Sequence, residues 1–245
     1  MASPFKGEAI SGLDIRDVSA AGRTQLPPVA AAEEDVDQLQ LWNEYHRKYW
    51  NSEERAKPTP PALLLADSLT RGQRILELGC GSGRDAVFLQ GRGHSVTATD
   101  FSEFAIDANI SFHEASGVVF SVQDLRTPLA FSDADFDAVY ARLSLHYFPD
   151  GVTRDIFREI HRVLRPAGKF LFTCRSTDDL LHGQGDEIGP GLFRSEGQIR
   201  HFFSQEYTKD VLSGEGLFAI DSLTVRDELI YTSHANVVQC LAVRS

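Results

Sequence analysis

Apolar and polar positions alternate in short blocks along most of the chain, with the period changing from block to block. From residue 62 the blocks read helix, strand, helix, strand. Ala62–Leu69 has helical spacing, and Arg74–Leu78 is a short apolar strand. Arg84–Arg92 is helical, and Ser95–Thr99 is a β-branched strand ending at Asp100. Phe104–Ser111 is a helix, and Val118–Val122 a strand running to Asp124. Phe136–Tyr140 is a strand, Thr153–Leu164 an amphipathic helix halted by Arg165-Pro166, and Lys169–Cys174 a further strand. Strands alternating with helices of this length predict βαβ units and a parallel sheet.

The end of the chain changes pattern. Glu196–Phe203 and Glu206–Ser213 both read as helices. Phe218–Leu229 and Val237–Arg244 then follow as strands joined around Tyr231-Thr232-Ser233. So short a connection forces an antiparallel pair. The expected fold is therefore α/β and Rossmann-like, a mostly parallel sheet with an antiparallel C-terminal hairpin. Upstream, residues 1–37 carry no period and read as a flexible tail. A helix is expected from Asp37 to about Trp50, rich in aromatics, as a cap over residues 38–57 of a domain spanning 38–245.

Composition narrows the class. Lys plus Arg is 24 and Asp plus Glu is 35, giving a net charge of −11 over 245 residues. Such a surface repels phosphate backbones, so a broad nucleic-acid interface is not expected. No apolar run approaches the ~20 residues of a membrane span. The N-terminus has no apolar signal core, so a cytoplasmic protein is expected. Cys80, Cys174 and Cys240 lie in or beside apolar runs without metal-ligand spacing, and read as buried free thiols.

The chemistry concentrates in Glu77-Leu78-Gly79-Cys80-Gly81-Ser82-Gly83, which follows a strand and opens a helix. Glycines there let the backbone turn sharply and approach a ligand. Asp100 ends the next strand, where a carboxylate can accept both ribose hydroxyls of a nucleoside. The glycine spacing differs from the dinucleotide fingerprint G-x-G-x-x-G, which argues against NAD. Glu77, two residues before the first glycine, suits a cation better than a pyrophosphate.

This E-x-G-x-G-x-G segment resembles motif I of the class I S-adenosylmethionine (SAM) methyltransferases. Val119–Leu125, Asp135–Val139 and Leu164–Phe170 resemble the family's third strand end, fourth strand and the turn into the fifth, where Ala167 departs from the usual Pro-Gly-Gly. A closer similarity, to the tellurite-resistance type of small-molecule methyltransferase, rests on Ala141–Phe148, Ser176–Gly189 and Arg200–Ser204.

The resemblance implies a class I methyltransferase fold and SAM as cofactor, with Glu77, Gly79, Gly81, Gly83 and Asp100 around it. It implies Asp124, with Leu125, at the adenine amine. Phe101 is placed to stack on adenine or to pack in the core. Arg142 is placed either on the cofactor or in an ion pair with a neighbouring acid. Tyr45 and Tyr49 share one helix face and could meet the sulfonium. His146 follows the fourth strand, so it either serves the acceptor as a base or bonds loop backbone. His46, His94, His113, His161, His182 and His201 read as surface or structural residues, and His234 at the hairpin tip is a weaker candidate than His146.

The implied activity is metal-independent methyl transfer to a small-molecule acceptor by in-line displacement. RNA or protein as the acceptor, or a non-catalytic SAM-binding module, are the alternatives.

Overall fold

The computed structural model describes residues 34–50, 57–214, 216–230 and 233–245. Residues 1–33 of the expected tail, residues 51–56 of the expected cap and the hairpin tip at residues 231–232 lie outside them, whereas residues 34–37 of that tail are helical. Helix α1 spans Glu34–Tyr49, starting three residues before the expected Asp37. Then follow α2 (Pro60–Ser68), β1 (Arg74–Leu78), α3 (Arg84–Gly91), β2 (Ser95–Asp100), α4 (Glu103–Phe112), β3 (Val119–Val122), β4 (Phe136–Arg142), α5 (Asp150–Val163) and β5 (Leu164–Arg175). The last third holds β6 (Asp186–Gly189), β7 (Leu192–Ser195), β8 (Gln198–His201), α6 (Gln205–Ser213), β9 (Phe218–Ile230) and β10 (Ser233–Arg244).

Seven strands form one sheet in the order β3-β2-β1-β4-β5-β10-β9. β1 to β5 run parallel, and β10 pairs antiparallel with both β5 and β9. The order reverses at β1/β4, the place where open α/β sheets bind ligands beyond the carboxyl ends of their strands. Helices start where side chains cap them. Thr59, Ser102 and Ser204 accept from the backbone N–H of Ala62, Ala105 and Tyr207 respectively.

Two apolar clusters fill the faces of the sheet. One joins α5 and α6 to Leu76, Leu78, Val139, Phe170 and Phe172. The other joins α2 and α3 to Ile75, Ala98, Tyr140, Leu171 and Leu241. Each strand therefore buries alternate residues on opposite faces, which is why central strands read as continuous apolar runs.

The segment after β5 departs from expectation, with strands β6 and β7 where none was expected. Residues 196–203 are not a helix: Gln198–His201 is strand β8 of a separate antiparallel sheet, β6-β7-β8. The reason is the turn before it. Glu196 and Gly197 both have positive φ, 52° and 75°, and Ser195 pairs with Gln198 across them. Two consecutive left-handed residues make a two-residue hairpin turn whose twist matches the strands it joins.

Ala167 occupies a left-handed position, φ 60°, at the turn before the main run of β5. An L side chain there costs about 1–2 kcal/mol, whereas glycine has no such cost. Ala167→Gly is therefore expected to stabilise the fold by about 1 kcal/mol after the extra unfolded-state entropy of glycine. Urea unfolding checks this; a lower midpoint would show that the turn does not strain Ala167.

Candidate functional site

The loop after β1 is held from three sides. Gly79 N–H and Cys80 N–H both donate to the Thr99 carbonyl at 2.8 and 2.9 Å. Gly81 N–H donates to Asp100 Oδ2 at 2.8 Å, and Asn109 Nδ2 of α4 donates to the Gly81 carbonyl at 2.8 Å. Ser144, just beyond β4, donates from Oγ to the Leu78 carbonyl at 2.7 Å. Gly79 has no room for a side chain: a Cβ there would lie 2.3 Å from Ser144 Cβ. At Gly81, with φ 53°, a Cβ would meet the His46 ring at 3.4 Å.

Glu77 precedes this loop on β1 with one carboxylate oxygen, Oε2, buried and without a hydrogen-bond partner among the described residues. Burial, and after it the charge of Asp85, holds its carboxyl well above the usual range. Asp85 itself is fixed by the Thr59 N–H (2.8 Å), the Thr59 hydroxyl (2.6 Å) and the Tyr140 hydroxyl (2.9 Å). Asp100 accepts the Ser102 N–H on its other oxygen at 2.9 Å.

Around this centre the remaining expected residues fall into different settings. Asp124 is bound at both oxygens by Arg126, at 3.0 and 2.8 Å, and the same guanidinium covers the Phe101 ring at 5.2 Å. One arginine thus occupies both groups expected at the adenine. Leu125 packs against the α5/α6-side core. The Arg142 guanidinium takes the ion-pair alternative: it meets Glu228 at 2.5 Å, on the far strand β9. Tyr45 and Tyr49 lie ring against ring at 4.7 Å, and Tyr45 also touches Trp42 at 5.5 Å.

His146 sits in a short 3-10 turn, Leu145–Tyr147, after β4. It is 0% exposed, and neither ring nitrogen has a hydrogen-bond partner among the described residues. Burial, then the charges of Arg175, Arg200 and His201, hold its pKa well below 6.5. The turn is reached through Leu143, a bulky residue at φ 55°, whose side chain packs against Ile230, Ala235 and Val237.

Two residues entered the site without having been expected there. His46 of α1 lies beside Gly81 and 3.9 Å from Asp100 Oδ1. Its signal was present, because it stands four residues after Trp42 and three before Tyr49, on their helix face. Asn109 buttresses the glycine loop from α4, and only the three-dimensional packing shows it.

Residues 75–168 match the family described as "Methyltransferase domain". That span runs from β1 to the turn entering β5, over the glycine loop and His146. Over this span the chain is similar to methyltransferase domains. The chain is 35% identical to 27-O-demethylrifamycin SV methyltransferase from Amycolatopsis mediterranei over 142 residues, 53% of this chain and 51% of the relative. It spans about half the length of the first curated relatives it matches. In fold it is similar to 1,6-didemethyltoxoflavin-N1-methyltransferase from Burkholderia thailandensis, with TM-score 0.67, 20% identity and coverage of 91% and 93% of the two chains. TehB from Haemophilus influenzae has the same fold, with TM-score 0.62, 14% identity and coverage of 83% of this chain and 67% of that one.

The residues present fit the family's cofactor. SAM carries an ammonium and a sulfonium, and the buried, unpartnered Glu77 Oε2 lacks a cationic or donating partner. No helix among the described residues is long and apolar enough to cross a membrane.

Proposed function

We propose that this methyltransferase transfers a methyl group to a small-molecule acceptor, with His146 facing that acceptor. The observation that carries the reading is His146 itself: a fully buried, neutral imidazole with both nitrogens unpartnered. A neutral imidazole offers one donor and one acceptor, and buried groups of this kind are normally satisfied. The missing partner is the substrate's nucleophilic group.

Glu77, the backbone at Gly79, Gly81 and Gly83, and Asp100 would hold SAM, with Asp124, Leu125, Phe101, Tyr45 and Tyr49 as further candidates at its periphery. When bound, SAM supplies an electrophilic methyl group that an acceptor nucleophile displaces in line. Glu77 neutralises the cofactor's cationic end, and Asp100 accepts ribose hydroxyl protons. His146 accepts the proton of the acceptor's nucleophile and fixes its orientation. Catalysis by such residues is chiefly positioning.

The names of the relatives support a small acceptor: one is a rifamycin methyltransferase and one a toxoflavin-precursor methyltransferase. The net charge of −11 points away from RNA. The test is transfer of radiolabelled methyl from SAM into a cell metabolite extract, with RNA and protein removed in a parallel sample. Label is expected in the small-molecule fraction. Label confined to RNA or protein would sink the reading.

A further inference from the structure

On one face of the large sheet an apolar row gives way to a polar one. Tyr140, Leu171 and Leu241 stand in register across β4, β5 and β10, packed with Ala62 and Leu65 of α2. One step towards the carboxyl ends of β4 and β5 the next row on that face reads Arg142, Thr173, Gln239 and Thr224, across β4, β5, β10 and β9. The step after it brings Arg175, Val237 and Arg226 together. In-register residues on neighbouring strands share a face, so these side chains form one patch.

The patch is charged and incompletely bonded. Arg142 reaches across β5 and β10 to Glu228 Oε1, at 2.9 Å from Nε and 2.5 Å from Nη2. Arg226 Nη2 meets the other Glu228 oxygen at 3.1 Å. Arg175 pairs with Asp179 at 2.7 Å. Three guanidiniums against two carboxylates leave one positive charge. Thr173 Oγ1, Gln239 Oε1 and Arg226 Nε are buried without hydrogen-bond partners among the described residues, and Thr173 is 0% and Gln239 9% exposed. Native proteins seldom leave such atoms unsatisfied. Two donors and one acceptor, unused beside a net positive charge, describe the complement of a ligand.

We propose that this row anchors the methyl acceptor, and that the acceptor is a small monoanion carrying a carboxylate beside an O–H or N–H group. The inference rests on the methyltransferase reading above. The carboxylate takes the Arg226 Nε–H and the Thr173 O–H, and the neighbouring donor meets Gln239 Oε1. A hydrogen bond from a guanidinium N–H to a carboxylate is charge-assisted and stronger than one between neutral groups. The row also leads into the acceptor side of the site, since Arg142 ends β4 and His146 lies in the turn that follows.

The test uses the full chain saturated with S-adenosylhomocysteine and titrated with mandelate, a 2-hydroxy carboxylate, or with its neutral amide. Calorimetry should show mandelate binding at least tenfold more tightly than mandelamide. Arg226→Gln should remove at least tenfold of that affinity, with S-adenosylhomocysteine binding unchanged. Should that variant not fold, as judged by circular dichroism, Gln239→Glu places a negative charge in the row and should have the same effect. Equal binding of acid and amide, or mandelate binding that survives in the folded variant, overturns the proposal. Failure of S-adenosylhomocysteine to bind the wild-type chain would instead overturn the methyltransferase reading beneath it.

Discussion

Glu77→Gln is expected to weaken SAM and S-adenosylhomocysteine binding about ten- to a hundredfold while making the ligand-free protein more stable at neutral pH. The two effects have one cause. Glu77 is buried, with one carboxylate oxygen unpartnered, in a site that also holds the charges of Asp85 and Asp100. A hydrogen bond from the cofactor's ammonium to that carboxylate is charge-assisted, worth about 1.5–3 kcal/mol, which corresponds to roughly ten- to a hundredfold in affinity. Without the cofactor the same carboxylate is a liability. Its folded pKa is raised above the usual 4.5, so the stability tied to its proton is present below about pH 4.5 and is lost as pH rises through the folded value. Glutamine cannot ionise, so the variant escapes that loss. The wild-type affinity for SAM should also rise with pH through the Glu77 pKa, since the ammonium binds the ionised carboxylate; in the variant that slope should vanish. Calorimetry at several pH values, with thermal unfolding of the free chain, measures both halves. Unchanged affinity together with unchanged stability would show that Glu77 meets no cation.

The parts of the fold that local sequence dictates were legible. β1 was bounded at Arg74–Leu78 because an apolar run stops at a glycine loop, and Asp100 was located because β2 is β-branched up to that residue. β8 was not legible as a strand, because the apolar spacing of 196–203 fits a helix unless the Glu196-Gly197 turn is recognised first. The partner of Arg142 was beyond local reading altogether. Glu228 lies 86 residues later, and only the order β4-β5-β10-β9 brings it within reach. Arg126 shows the same limit at short range. Its neighbours Asp124 and Phe101 each have a plausible ligand role in sequence, yet the guanidinium engages both at once. The glycine loop and its acids were therefore readable as a pattern of residue types. The side chains that compete for those acids depend on packing, and the sequence encodes that packing only through the whole fold.

His146→Gln is expected to lower kcat by about 10²–10⁴-fold if the acceptor is a hydroxyl, the range typical of general-base assistance. Glutamine fills similar space and still forms hydrogen bonds, but it cannot take a proton. S-adenosylhomocysteine affinity should stay unchanged, because the glycine loop, Glu77 and Asp100 are untouched. A merely structural histidine would not produce that separation of kcat from cofactor binding. The pH dependence gives a second, independent readout. Burial, with Arg175, Arg200 and His201 nearby, holds the imidazole pKa well below 6.5, so the base stays neutral throughout the physiological range. The acid limb of the wild-type rate should therefore lie below pH 6.5. The same depressed pKa stabilises the fold above about pH 6.5, a contribution lost as pH falls through the folded value because a buried imidazole must then take on charge. His146→Gln should blunt that acid sensitivity. The acceptor atom decides how much rate is lost. A thiol or selenol is already partly ionised near neutral pH and needs little help with its proton, whereas an alcohol needs a base. A folded His146→Gln enzyme running at full speed would exclude the base role and direct the search for the acceptor towards sulfur or selenium nucleophiles. A loss of a hundredfold or more would direct it towards hydroxyl compounds, and among those towards hydroxy acids that can also occupy the arginine row beyond β4.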